Sequence, residues 1–291
     1  MEFQRNYNLI NSKFWEFFFP TLFTSMAGNV CLFIDTVLIS FFLGSTSLSA
    51  IQVISPLTTF VNLLYWTVGL GGSIICVAAK AKFENEKSND LFSVSIISIT
   101  LIGIIITVLC LIFSTGIISF LSHSSFDSLA FSYFNLYIFG LPFLCYMMSL
   151  TYFVRADGLS RLPFKALLVS NTINLLFDVI FMKFLNLGIS GAALALIIGY
   201  IAGSLMMSTY FFNSKRTLSF VKVKIFSFLK YFVEICKSGF SGASNFLYST
   251  IVVFAYNYLI LHFIGYDGLS ALNICSNTLF ITSIIIIIIF Y

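Results

Sequence analysis

The chain has 291 residues, 59% of them hydrophobic and only 9% charged, with a mean hydropathy of +1.02. A soluble domain carries about 25% charged residues, so a water-soluble fold is excluded and a polytopic membrane protein is expected. The formal net charge of +4 implies no nucleic-acid partner, because the basic residues have a simpler, topological use.

Residues 1–13 are polar and mixed in charge, and they lack the short apolar core and small-residue cleavage site of a secretory signal. They are expected to form a cytoplasmic tail ahead of a retained membrane helix. Breaks in the apolar runs then predict eight spans, at 14–43, 48–78, 91–121, 129–154, 163–186, 189–213, 229–263 and 267–291. Each reaches the roughly 20 residues that cross the hydrocarbon. The charge-free stretch between Asp35 and Lys80 is too long for one crossing, and Gly44 with the serines of 43–47 supplies the turn.

Orientation follows from the bases. With the N-terminus in the cytoplasm, loops 79–90, 155–162 and 214–228 lie inside, and of the fifteen Lys and Arg only Lys183 falls outside. A multi-pass protein of the cell membrane, with lipid around it, is expected.

Residues 41–57 and 262–278 match at a constant offset of 221: Gly44 with Gly265, Leu48 with Leu269, and Ser49-Ala50 with Ser270-Ala271. Span seven thus restarts the plan of span one. The expected architecture is an all-α integral membrane bundle. It has a six-helix N-lobe at 14–213, a cytoplasmic linker at 214–228, and the first two helices of a repeated C-lobe at 229–291, whose later helices are missing. Such duplication is common in secondary transporters.

Most acids lie in loops or near helix ends; only Asp35 and Asp178 are embedded in the apolar spans. An acid in hydrocarbon costs roughly 3 kcal/mol on insertion scales and marks function by default. Their depths agree. Asp35 precedes the Gly44 turn by about 13 Å of helix and Asp178 precedes Asn186 by about 12 Å. Asn174 shares a helix face with Asp178, and Asn171 precedes it by one turn. These oxygens suit a hard cation such as Na⁺, or a proton held between coupled carboxylates; interhelical hydrogen bonding is the alternative use of the asparagines. The repeat counterpart of Asp35 is Tyr256, so the ionisable site belongs to the first bundle alone. Tyr65, Trp66, Tyr137 and Tyr146 are candidates to line a cavity and stack on flat cations, with packing between helices as the plainer role. Gly191, Ala192, Ala195, Gly199 and Gly203 form a close-packing face, and Ala192 and Asn171 stand as accessory positions to the site.

The six cysteines lie inside apolar runs without a CxxC pair and read as small hydrophobes. His123 and His262 lie at outer ends without metal partners, and no Walker or dinucleotide glycine pattern occurs. An enzyme is not expected, nor any cofactor beyond a coupling ion.

Taken together, the Pro20–Asp35–Ala50 layout, "GLGGS" at 69–73, "RADGLSRLP" at 155–163, "NLLFD" at 174–178 and "LGISGAALA" at 187–195 resemble the MATE family of multidrug and toxic compound extrusion transporters. The resemblance implies a twelve-helix antiporter fold that expels organic cations in exchange for H⁺ or Na⁺. It also implies that Asp35, Asn174 and Asp178 form the coupling-ion site. Leu196 stands where the family often has a threonine, a departure that favours H⁺ over Na⁺. A lipid-linked oligosaccharide flippase of the same superfamily, or a non-transporting truncated membrane subunit, are the alternatives. The acidic character of the embedded charges speaks against the flippase.

Overall fold

The computed structural model describes the backbone of residues 7–122 and 128–290, with the side chains of 7–13, 16–17, 20–21, 23–25 and 280–290 left aside. The side chains of the 1–13 tail, Glu16, His123, Asp127 and the end of the eighth expected span lie outside the described residues.

The described residues form helices and no strands. In order these are α1 Tyr7–Leu43, α2 Ser45–Ala81, α3 Asn85–Ile112, α4 Ser114–Ser122, α5 Ser128–Tyr137, α6 Leu141–Ala156, α7 Arg161–Val179, α8 Gly188–Ser208, α9 Ile225–Phe263 and α10 Tyr266–Phe290. This is the expected all-α polytopic membrane bundle, and among the described residues seven spans are long and apolar enough to cross a bilayer. The expected third and fourth spans are each two helices in series, α3–α4 and α5–α6. Helix α1 already begins at Tyr7, inside the polar stretch expected to be a tail. All six cysteines are free thiols.

Two turns bear on the repeat. Gly44 (φ 83°) ends α1 and Gly265 (φ 91°) follows α9; both occupy the left-handed region that glycine enters without a Cβ penalty. Helices α2 and α10 then start at equivalent positions, and Leu48 and Leu269 are both fully buried.

Helices α2 and α9 pack along their length. At one end the contact is backbone to backbone: a Cβ on Gly239 would lie 1.8 Å from the Thr67 carbonyl oxygen, and one on Gly71 2.4 Å from that of Ile235. At the other end it is polar. Pro56 has no N–H, so the Gln52 carbonyl loses its helical donor. Asn257 Nδ2 (2.7 Å) and Ser55 Oγ (2.7 Å) donate to that carbonyl instead. The Gln52 side chain donates to Asn257 Oδ1 and accepts from Asn273 Nδ2, while Asn277 Nδ2 donates to Thr36 Oγ1. A chain of amides therefore stitches α1 and α2 to α9 and α10, satisfying groups that lipid could not.

Residues 213–224, between α8 and α9, lie as a strap across the ends of α2, α3, α6 and α8. The Asp157 carboxylate is its anchor. It takes an ion pair from Lys80 at 2.6 Å, hydrogen bonds from the backbone N–H of Thr217 and from the Tyr210 hydroxyl, each 2.8 Å, and the Thr217 hydroxyl. Ser219 N–H donates to Asn89 Oδ1 and Val221 N–H to Ser93 Oγ, and Leu218 is buried beneath. Burial pushes the Asp157 carboxyl up, but the hydrogen bonds from Lys80, Thr217 and Tyr210 outweigh it and hold the group below its ordinary value.

Candidate functional site: a buried acid pair above a polar–aromatic cavity

Helices α1 and α7 pack against one another, and α8 packs on α7. The α7–α8 contact is close because of the small-residue face: a Cβ on Gly199 would lie 2.7 Å from the Ser170 carbonyl oxygen and 3.0 Å from Asn174 Cβ. Ala192 is buried on the same helix. This close approach brings a polar stripe of α7, namely Ser170, Asn171, Asn174 and Asp178, towards Asp35 on α1. A single π-helical turn, Ile180–Phe184, follows Asp178 at once. Such turns recur at functional sites because they re-aim the side chains around them.

Asp35 and Asp178 are interacting neighbours across the α1–α7 contact. They lack the aligned geometry of a made hydrogen bond: both Asp178 oxygens and Asn174 Nδ2 are buried with no partner. Asp178 is fully buried and Asp35 half-buried. Unpaired buried polar atoms are rare and costly, about 1–3 kcal/mol each, so this cluster is poised to accept something that supplies positive charge or protons.

Asp35, Asn171 and Asn174 line a niche of about 50 Å³, closed on the α8 side by Leu196 and Tyr200. That volume holds an ion or a few waters. Leu196 offers no oxygen to it. The niche shares Leu32, Ser170, Asn171 and Tyr200 with a larger cavity of about 520 Å³. Tyr65 and Trp66 line the larger cavity, with Asn29, Asn62, Tyr152 and Arg155. Trp66 meets Tyr152 edge to face, ring centroids 5.4 Å apart, and Phe246 at 4.9 Å. Tyr137 and Tyr146 are not on its lining. The Tyr137 hydroxyl donates to Thr58, and the Tyr146 hydroxyl shares a hydrogen bond with Ser208. Among the described residues no three metal-ligating side chains gather.

Sequence reasoning did not find Tyr133, Tyr200 or Arg155. Tyr133 is within electrostatic reach of both acids and Tyr200 of Asp35. The only signal of the two tyrosines in the sequence is polarity at a helical position, which many other tyrosines share, and Arg155 reads there only as an inside charge.

The MatE family model matches residues 20–180, which takes in both acids. The chain belongs to the MatE family. MatE proteins are transporters, not enzymes. Among curated relatives, the chain is 28% identical over 213 residues to "Probable multidrug resistance protein YoeA" of Bacillus subtilis, covering 71% of this chain and 46% of the relative. It is 28% identical over 207 residues to the multidrug export protein MepA of Staphylococcus haemolyticus, covering 70% and 46%. Its fold is similar to that of the MATE multidrug transporter DinF-BH, with a TM-score of 0.83 at 18% identity over 94% of this chain and 61% of that one. A MATE transporter in its straight conformation superposes with a TM-score of 0.75 at 18% identity, covering 94% and 64%. The chain thus spans about half the length of these curated relatives.

Proposed function

We propose that this MatE chain belongs to a secondary antiporter that exports organic cations or drugs from the cell in exchange for H⁺ or Na⁺. In this reading 14–213 is the N-lobe, 214–228 the linker and 229–291 the start of a C-lobe. The N-terminus faces the cytoplasm and the protein sits in the cell membrane. Asp35, Asn174 and Asp178 bind the coupling ion, with Asn171 and Ala192 beside them. The observation that carries the reading is that Asp35 of α1 lines the niche with Asn171 and Asn174, while Asp178, an interacting neighbour of Asp35 on α7, is buried with both oxygens unpartnered.

The chemistry follows from the site. Protonating the pair, or placing Na⁺ between its oxygens, cancels the repulsion of two adjoining carboxylates. Removing the ion restores it. A two-state bundle biased by that repulsion changes its packing when the ion comes and goes. The π turn after Asp178 and the small-residue α7–α8 seam are where such repacking is cheapest. The Leu196 side chain leaves a Na⁺ one oxygen short on the α8 side, which favours H⁺. The cavity below the niche, with Trp66 and Tyr152 on its wall, suits a flat cation.

The test is dye or drug efflux by the full natural protein in vesicles, driven by a pH gradient or by a Na⁺ gradient. Asp35→Asn and Asp178→Asn are each expected to abolish gradient-driven transport while expression persists. Efflux that survives in both variants sinks the assignment.

A further inference from the structure

The larger cavity is not built for a cation alone. Arg155 lines it and is absent from the lining of the acid niche. The guanidinium is half-buried and makes no ion pair or hydrogen bond with any described residue. The nearest acid in sequence does not serve it: Asp157 is committed to Lys80, Thr217 and Tyr210 on the strap. A charge held partly out of water without a partner is costly, and an arriving anion relieves that cost.

The surroundings give the anion a body. Thr151 and Arg155 share one face of α6, four residues apart, and Tyr152 with Trp66 forms an aromatic wall beside them. The niche that Asp35 lines and the cavity that Arg155 lines share four residues, so a flat molecule bearing both charges meets an acid and a guanidinium in adjoining space. Guanidinium is the group best matched to a carboxylate, since it offers two parallel N–H donors.

We propose that Arg155 is a specificity-determining residue that binds a carboxylate of the transported molecule, so that the preferred cargo is a flat zwitterion rather than a simple cation. The inference rests on the transporter reading above and narrows its substrate class.

The experiment measures binding of two rhodamine dyes to the purified chain by fluorescence anisotropy in nanodiscs. One is a cationic rhodamine whose carboxyl is esterified; the other is the same dye with the carboxyl free. In the wild type the free acid should bind more tightly. In Arg155→Gln its dissociation constant should rise about tenfold or more, as expected for losing a charge-assisted pair, and Arg155→Lys should fall between. If the free acid loses nothing, or if only the esterified dye gains affinity, the inference is overturned and the transporter reading stands. If neither dye binds the wild type, the organic-cation reading fails and takes the inference with it. A lipid phosphate is the rival anion for this guanidinium. Discs of phosphatidylcholine and of phosphatidylglycerol separate the two: the preference for the free acid should persist in both. Its disappearance in phosphatidylglycerol would assign Arg155 to the headgroups instead.

Discussion

Gln52 accepts a hydrogen bond at 3.0 Å from Asn273, the residue that occupies its own place 221 positions later in the repeat. Two positions that correspond in the repeat thus touch directly. The contact is part of a cluster of amides rather than apolar side chains, and the reason is Pro56, which frees a carbonyl that only a polar neighbour can satisfy.

Asn257 is the main external donor to that carbonyl, so Asn257→Leu should destabilise the purified chain by about 2 kcal/mol, the usual cost of stranding a buried polar partner. A double-mutant cycle between Gln52 and Asn273 should return a coupling of about 0.6–1.7 kcal/mol, the range of interhelical hydrogen bonds in membranes. Unfolding in mixed micelles measures both. A coupling indistinguishable from zero would mean that the contact carries no weight.

Asp178 makes the opposite case. Its oxygens have no partners to lose, so Asp178→Asn should leave the unfolding free energy level or raise it by about 1 kcal/mol while transport stops. A thermal melt alongside the efflux assay separates the two effects. A large fall in stability would show that Asp178 is a structural acid.

Asp157 should be the costly acid to remove. Asp157→Ala leaves Lys80 unpaired and the strap unanchored, at about 3 kcal/mol, the lower end for breaking a buried pair because Lys80 is partly exposed. The pH dependence has a definite sign. Because the folded-state value lies below the ordinary one, the stabilisation is complete above the unfolded carboxyl value of about 3.9. It fades as the pH falls through the lower folded value. Labelling of a Ser219→Cys probe should therefore be slow at neutral pH and quicken only below about pH 4. In an Asp157→Asn background it should be fast at both. Labelling that is fast in the wild type near neutral pH would contradict the anchored strap.

Gly239→Ala should be among the most damaging small changes. Its Cβ would fall 1.8 Å from a backbone oxygen of α2, which cannot swing aside as a side chain can. Forcing α2 and α9 apart is expected to cost about 3 kcal/mol. Gly116→Ala in α4 is the control, since nothing lies within 4 Å of its Cβ, and a neutral or slightly stabilising effect is expected. Equal effects at the two positions would rule out the close backbone contact.

Much of this molecule was legible before any fold was known, because the bilayer is a harsh solvent. It demands spans of a set length, so hydropathy located the helices, although α1 began earlier than its polar first turns implied. It penalises stray carboxylates, so Asp35 and Asp178 stood out, and helical periodicity joined Asn174 to them. The offset of 221 foretold matched turns at Gly44 and Gly265. Azimuth and partner choice were not legible. A helix apolar on every side carries no stripe to say which face meets lipid and which meets protein. Hence Tyr65 and Trp66 reached the cavity while Tyr137 and Tyr146 turned to Thr58 and Ser208, and the Arg155 guanidinium, counted in the sequence only as an inside charge, entered the cavity lining. Chain chemistry alone determined which residues were too polar for lipid. Only the packing of helices against one another decided which of them would meet, because that choice is made by close contact between faces and not by any single residue's cost.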